Sequence, residues 1–151
     1  MHLGSLIRPE LVWSDLPAGG RQGLLRDLAE RIAAQGGVGD AGELFAKLWE
    51  RESLGTTAVG AGIAIPHCKL PGLRRGVVAV GISRAGVDFG ASDGEPVHVL
   101  FLVVSPADSP AEHLQVLAAI SRWLKGGHRA AALRSLTSAG DVHRFLAEEA
   151  A

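Results

Sequence analysis

The stretch from Val77 to Val104 begins with VVAVGI (77–82) and ends with VHVLFLVV (97–104), the second interrupted only by His98. Each is a continuous apolar run, which reads as a buried strand rather than a surface one. Between them VDFGASDGEP (87–96) is a hairpin-like stretch of turn chemistry. Upstream, Leu24, Leu25, Leu28 and Ile32 recur at helical spacing and predict a helix over 21–34, stopped by Gly36-Gly37. Asp40 is placed to cap a second helix, with Glu43 three positions on as in a capping box. Leu44, Phe45, Leu48 and Trp49 form its apolar face, and it ends near Arg51-Glu52. Ile63-Ala64-Ile65 is a short strand that Pro66 should terminate, because proline has no N–H for a ladder. Downstream, Pro110 suits a first helical turn, with Leu114, Leu117, Ala118 and Ile120 continuing to Leu124 and Gly126-Gly127 closing the segment. Two short helices, 129–136 and 141–150, complete the chain. Helices, then strands, then helices predict an α/β sandwich: a mixed β-sheet with helices on both faces, residues 1–151 forming a single domain.

The 151 residues are 47% hydrophobic and carry 15 Lys and Arg against 16 Asp and Glu, a net charge of −1. A chain of this size buries roughly 70% of its unfolded surface and needs neither disulfide nor structural metal to hold a core. The one cysteine, Cys68, offers no internal disulfide and no zinc cluster. No basic field recommends nucleic acid, and no apolar run reaches the ~20 residues of a membrane helix. The expectation is a cytoplasmic, soluble protein without direct membrane insertion. The six His show no metal-ligand spacing, so neither a metal nor another cofactor is expected. The 20 glycines do show a pattern. Some sit at helix stops, whereas Gly55, Gly60 and Gly62 cluster just ahead of Pro66-His67.

His67 is expected where a strand leaves the sheet; by itself it reads first as a surface histidine at a loop start, and its context turns it toward a reactive group. Upstream, GTTAVGAG (55–62) is rich in accessible N–H groups and hydroxyls, the equipment of an anion cradle. Thr57, Gly60 and Gly62 are its candidate phosphate-loop residues, although no Gly-Lys-Ser/Thr follows to make a Walker A loop. Arg51 reads either as a solvated helix terminus or as a planar guanidinium aimed at phosphate. His113, in the first turn after Pro110, is either an ordinary helix-start histidine or the second member of a two-histidine site.

Arg51-Glu52, Gly55-Thr56-Thr57, Val59-Gly60 and Gly62-Ile63-Ala64-Ile65-Pro66-His67 together resemble the signature of the IIA domains of the bacterial phosphoenolpyruvate:sugar phosphotransferase system, fructose/mannitol class. Phe89, Ala91, Asp93, Pro96-Val97, Leu100-Phe101 and His113-Leu114 follow in the same order and spacing, so the resemblance spans essentially the whole chain. His67-Cys68-Lys69-Leu70 and the segment 97–106 look most like the nitrogen-regulatory members. Cys68 departs from the Gly most frequent at that place, and Ala58 and Ala61 stand where Gly and Asn are frequent.

The resemblance implies a phosphocarrier in which His67 accepts a phosphoryl group, His113 stabilises the phosphoryl oxygens or fixes His67, and Arg51 is the cationic partner. It also implies an HPr-like phosphohistidine protein as donor and, as recipient, regulatory target proteins. Two alternatives remain: transfer to a IIB domain during fructose or mannitol uptake, and a regulatory binding module that never carries phosphate. Leu70, Pro71 and Leu73 are candidates for an apolar docking rim, Ile63 to Ile65 being too buried. The oligomeric state is left open. His2, His98, His128 and His143 are expected to have surface or strand-packing roles, and Trp13, Trp49 and Trp123 to pack in or near the core. Thiol catalysis by Cys68 is disfavoured because neighbours on an extended backbone face opposite ways.

Overall fold

The computed structural model describes residues 3–149, so His2 and the expected helix end at Ala150 lie outside the described residues. After a 3-10 turn, Leu3–Leu6, come β1 (Ile7–Trp13), β2 (Gly19–Gly20), α1 (Arg21–Ala34) and α2 (Ala41–Ser53). The middle of the chain is β3 (Ala58–Gly60), β4 (Ile63–Ala64), β5 (His67–Leu70), β6 (Val77–Asp88) and β7 (Val97–Pro106). The helices α3 (Pro110–Leu124), α4 (His128–Ser135) and α5 (Ala139–Glu149) follow. Among the described residues the strands form one mixed sheet in the order β1-β6-β7-β4-β3, with β2 beside β6 and β5 beside β7. The expected sandwich is the observed one.

The two apolar runs pair antiparallel as β6 and β7, with Val77 opposite Val104 and Ile82 opposite Val99. Because side chains alternate along a strand, these runs supply both cores. Ala79, Leu100, Leu102 and Val104 pack with Leu24, Leu25, Leu28, Ile32, Leu44 and Leu48 of α1 and α2. Val78, Val80, Ile82, Val99, Phe101 and Val103 pack with Val116, Ile120 and Trp123 of α3, Leu133 of α4 and Leu146 of α5. Trp123 is in the second core, and Trp13 and Trp49 flank the first. Asp40 caps α2 as its position predicts, accepting from Gly42 N at 2.8 Å and Glu43 N at 3.2 Å.

Three local features differ from the sequence reading. β1 was not anticipated: Arg8, Pro9 and Glu10 interrupt its apolar pattern, and the register against β6 slips between Ile7 and Val12. As an edge strand it tolerates Pro9. β6 also continues past Ile82 to Asp88, through a register irregularity that contains Gly86 at φ 93°. Finally, Pro66 interrupts a strand without ending it. Its carbonyl accepts from Val103 N at 2.9 Å, and β5 resumes at once with His67 opposite Val103, parallel to β7. His67 is therefore fixed in the sheet at the first position of a strand, which is firmer support than a loop start.

Candidate active site

His67 stands in a cleft of about 340 Å³ walled by the end of α2, the start of β5 and the first turn of α3. His113 reaches it from α3, and the two imidazole rings lie 5.5 Å apart, centroid to centroid, at 49°. Arg51, in the last turn of α2, lines the same cleft. The structure thus gathers three of the residues singled out in the sequence. It adds Lys47 and Lys69, each with a periodic signal that the sequence already contained. Lys47 precedes Arg51 by one helical turn, and Lys69 follows His67 by the two-residue repeat of a strand. With Glu50 as the counter-charge, three cations against one carboxylate leave the cleft net positive.

The His67 Nδ1 atom is 2.7 Å from the Ile65 carbonyl oxygen. A carbonyl only accepts, so Nδ1 must carry the proton, and the neutral ring then presents Nε2 as its free lone pair. Burial lowers the His67 pKa from the ordinary 6.5; the Ile65 carbonyl and Glu52 raise it, while Arg51 and Lys69 lower it further. The His113 pKa is lowered as well, first by burial and then by His67 and Lys69. Both rings are neutral at pH 7. Cys68 packs into the α1/α2 core, and burial pushes its thiol up to about 12, so no thiolate is on hand for nucleophilic work.

The loop candidates go elsewhere. Thr57 is buried, and Glu52, itself 1% exposed, clasps it with both oxygens: Thr57 Oγ1 donates at 2.6 Å and Thr57 N at 2.8 Å. Arg21 stands 3.9 Å from the same carboxylate. This clasp, together with the 2.9 Å bond that Arg51 donates to the Gly55 carbonyl, ties the loop back onto the end of α2. Gly60 (φ 91°) and Gly62 (φ 77°) flank Ala61 (φ 56°) at the tip of the β3–β4 hairpin, where Ala61 N donates to Asp93 at 3.0 Å. The Gly62 carbonyl accepts from His98 N and Val99 N. That is five positions along β7 from Val103, the partner of His67, or about 16 Å at a strand rise of ~3.3 Å per residue. The structure therefore gathers His67, His113 and Arg51 around one cleft whose lining does not include Thr57, Gly60 or Gly62.

Of the expected apolar rim, Pro71 is exposed, whereas Leu70 is buried and Leu73 packs against the α1/α2 core. The exposed large apolar residues beside the site are Leu54, which lines the cleft at 81% exposure, and Leu114, next to His113 at 67%. Of the other histidines, His98 and His143 bond the Ser83 and Ile7 carbonyls, in keeping with strand packing, and His128 is exposed at the start of α4. No helix of the described residues is long and apolar enough to cross a membrane.

Residues 5–149 match the family described as phosphoenolpyruvate-dependent sugar phosphotransferase system, EIIA 2. A nitrogen regulatory protein of Bradyrhizobium diazoefficiens is 36% identical over 147 residues, covering 97% of this chain and 95% of the relative. The fructose-specific EIIA component of Haloferax volcanii is 38% identical over 121 residues, 80% of this chain and 79% of its own. The crystal structure of nitrogen regulatory protein IIA-Ntr from Neisseria meningitidis superposes with a TM-score of 0.86 at 27% identity, covering 95% of this chain and 98% of that one. With this match running nearly end to end, and with the three polar residues of the motif converging on one cleft, the chain belongs to the EIIA type 2 family of the phosphotransferase system.

Proposed function

We propose that the protein is a phosphocarrier of the nitrogen-regulatory type, in which His67 Nε2 takes a phosphoryl group from the phosphohistidine of an HPr-like donor. The observation that carries the reading is the bond from His67 Nδ1–H to the Ile65 carbonyl, because it leaves the second nitrogen as an uncommitted nucleophile at the cleft. In the transfer the Nε2 lone pair forms a bond to phosphorus, and the donor's P–N bond breaks with its electron pair returning to the donor imidazole. His67 releases no proton. Its ring gains positive charge, which the Ile65 carbonyl stabilises through Nδ1–H, and Arg51, Lys47 and Lys69 face the incoming phosphoryl charge. Phosphoryl transfer asks mainly for positioning and electrostatics of this kind. Leu54, which lines the cleft, and Leu114, the chain neighbour of His113, offer the donor an exposed apolar footing. From His67 the group's presence or absence is read by regulatory target proteins.

A second reading, onward transfer to a sugar-specific IIB domain, is favoured by the likeness to the Haloferax volcanii fructose component. Incubation with phosphoenolpyruvate, enzyme I and an HPr-like protein should yield an acid-labile phosphoryl adduct that His67→Ala abolishes. An adduct surviving that substitution would refute the assignment. Discharge of the adduct by a fructose IIB domain, at a rate matching its formation, would favour the second reading over the first.

A further inference from the structure

Ser105 lies near the end of β7, 2% exposed, with its Oγ 2.7 Å from Nδ1 of His113. It does not line the cleft and takes no part in the bond-making step at His67. A serine hydroxyl either donates or accepts, so the distance alone leaves the direction of the bond open. Its surroundings decide it. Among the described residues His113 is the sole hydrogen-bond partner of this hydroxyl. If Nδ1–H were the donor, the Ser105 proton would be left in a buried place with no acceptor, which native structures avoid. The void of about 30 Å³ behind Ser105 is walled mainly by Leu6, Val77, Val103 and Val116, and the Glu112 carboxylate that also borders it makes no hydrogen bond to Oγ. If Ser105 donates, every proton is placed: Oγ–H points to the Nδ1 lone pair, and the imidazole carries its own proton on Nε2.

We infer that Ser105 is a positioning residue that donates its hydroxyl to His113 Nδ1 and so holds His113 as the Nε2–H tautomer, the reverse of His67. His113 Nε2 has no protein partner among the described residues, yet it is not sealed from solvent, since the one buried side-chain nitrogen without a partner is Arg129 Nε. It is the nitrogen available to the shared cleft. The two rings are therefore complementary, one presenting a lone pair to phosphorus and the other an N–H to a phosphoryl oxygen. The same bond opposes a second proton on His113, because an imidazolium would again orphan the Ser105 hydroxyl. A neutral donor supports the phosphoryl group without the grip of a full cation, which suits a group that must leave again. The role in transfer rests on the phosphocarrier reading, whereas the tautomer assignment does not.

The test uses the full chain labelled with ¹⁵N-histidine. In the unphosphorylated wild type at neutral pH, nitrogen shifts should report the proton on Nδ1 for His67 and on Nε2 for His113. A His113 protonated on Nδ1 overturns the inference. Ser105→Ala should lose the His113 preference and slow phosphorylation of His67 about tenfold, the scale of one weakened transition-state hydrogen bond. Ser105→Thr keeps the hydroxyl, suits a strand, and has the void to take its methyl; it should restore tautomer and rate to within about twofold. An Ala variant with unchanged tautomer and rate, or a folded Thr variant as slow as the Ala variant, also overturns it. Should Ser105→Ala fail to fold, the wild-type tautomer and the Thr variant decide. A wild type with the predicted tautomers that takes no phosphoryl group from any donor would refute the phosphocarrier reading and leave the Ser105 assignment standing.

Discussion

The tip of the β3–β4 hairpin and the cleft at the start of β5 flank the same strand, β7, and both are approached through the glycine-rich segment 55–62. At the tip, three consecutive positive φ angles turn the chain, Ala61 N is spent on Asp93, and the Gly62 carbonyl is spent on His98 N and Val99 N. At the cleft the backbone is extended, and Arg51, Lys47 and Lys69 line the same pocket as two half-satisfied histidines. Small residues and backbone donors are common to turns and anion sites; unspent polar capacity distinguishes them. Glu52 joins the two regions, since it follows Arg51 on α2 and clasps Thr57 at the root of the hairpin.

That link gives the largest expected effect. Glu52→Ala strips both acceptors from Thr57 and the partner from Arg21, and should cost about 3 kcal/mol of stability, read by denaturant unfolding. An unchanged midpoint would mean the two regions are held independently. Arg51→Ala should act chiefly on the cleft, slowing donor-dependent labelling of His67 about 30-fold at saturating donor, while loss of its exposed bond to the Gly55 carbonyl shifts stability by under about 1 kcal/mol. Gly62→Ala should do the opposite. A Cβ there meets only ordinary contacts, the nearest being the Pro96 carbonyl at 3.5 Å, but the left-handed backbone costs about 1–2 kcal/mol for a side-chain-bearing residue. Stability should fall by that amount with the transfer rate unchanged. A slowed transfer in a well-folded Gly62→Ala protein would return the hairpin tip to the site.

The smallest effect is on pH dependence. Because His67 and His113 have folded-state pKa values below 6.5, the rate should hold as pH falls below 6.5 and decline only toward those lower values. The unfolded chain takes up these protons first. The stability contribution is therefore fully present above pH 6.5 and is lost as pH drops from there through the folded values. A rate that halves at pH 6.5 would show an unshifted His67.

The sandwich was legible because two long apolar runs leave a strand no wet face, and because Asp40, Pro110 and the glycine stops bound their helices. β1 was not, since Pro9 and two charges hide an edge strand whose burial comes from tertiary packing. His67, Arg51 and His113 were recognisable as residues of a motif. The geometry that makes them a site was hidden: Pro66 looks like a terminator, yet its carbonyl carries the ladder across the gap, and Ser105 is one serine among several until β7 and α3 pack. Lys47 and Lys69 share the period of Arg51 on α2 and of His67 on β5, a signal that only the packed cleft turns into a site. The glycine cluster reads two ways for a physical reason, in that tight turns and phosphate loops draw on the same residues, and in the fold Gly60 and Gly62 form a hairpin tip.

The central claim is that the uncommitted nitrogen of His67 is the phosphoryl acceptor. Phosphorylating the ¹⁵N-histidine-labelled protein with phosphoenolpyruvate, enzyme I and an HPr-like protein, and then locating the phosphorus–nitrogen coupling, tests it directly. A coupling to Nε2 of His67, with Nδ1 still protonated, is the predicted result; a coupling to Nδ1 of His67 or to either nitrogen of His113 would contradict it.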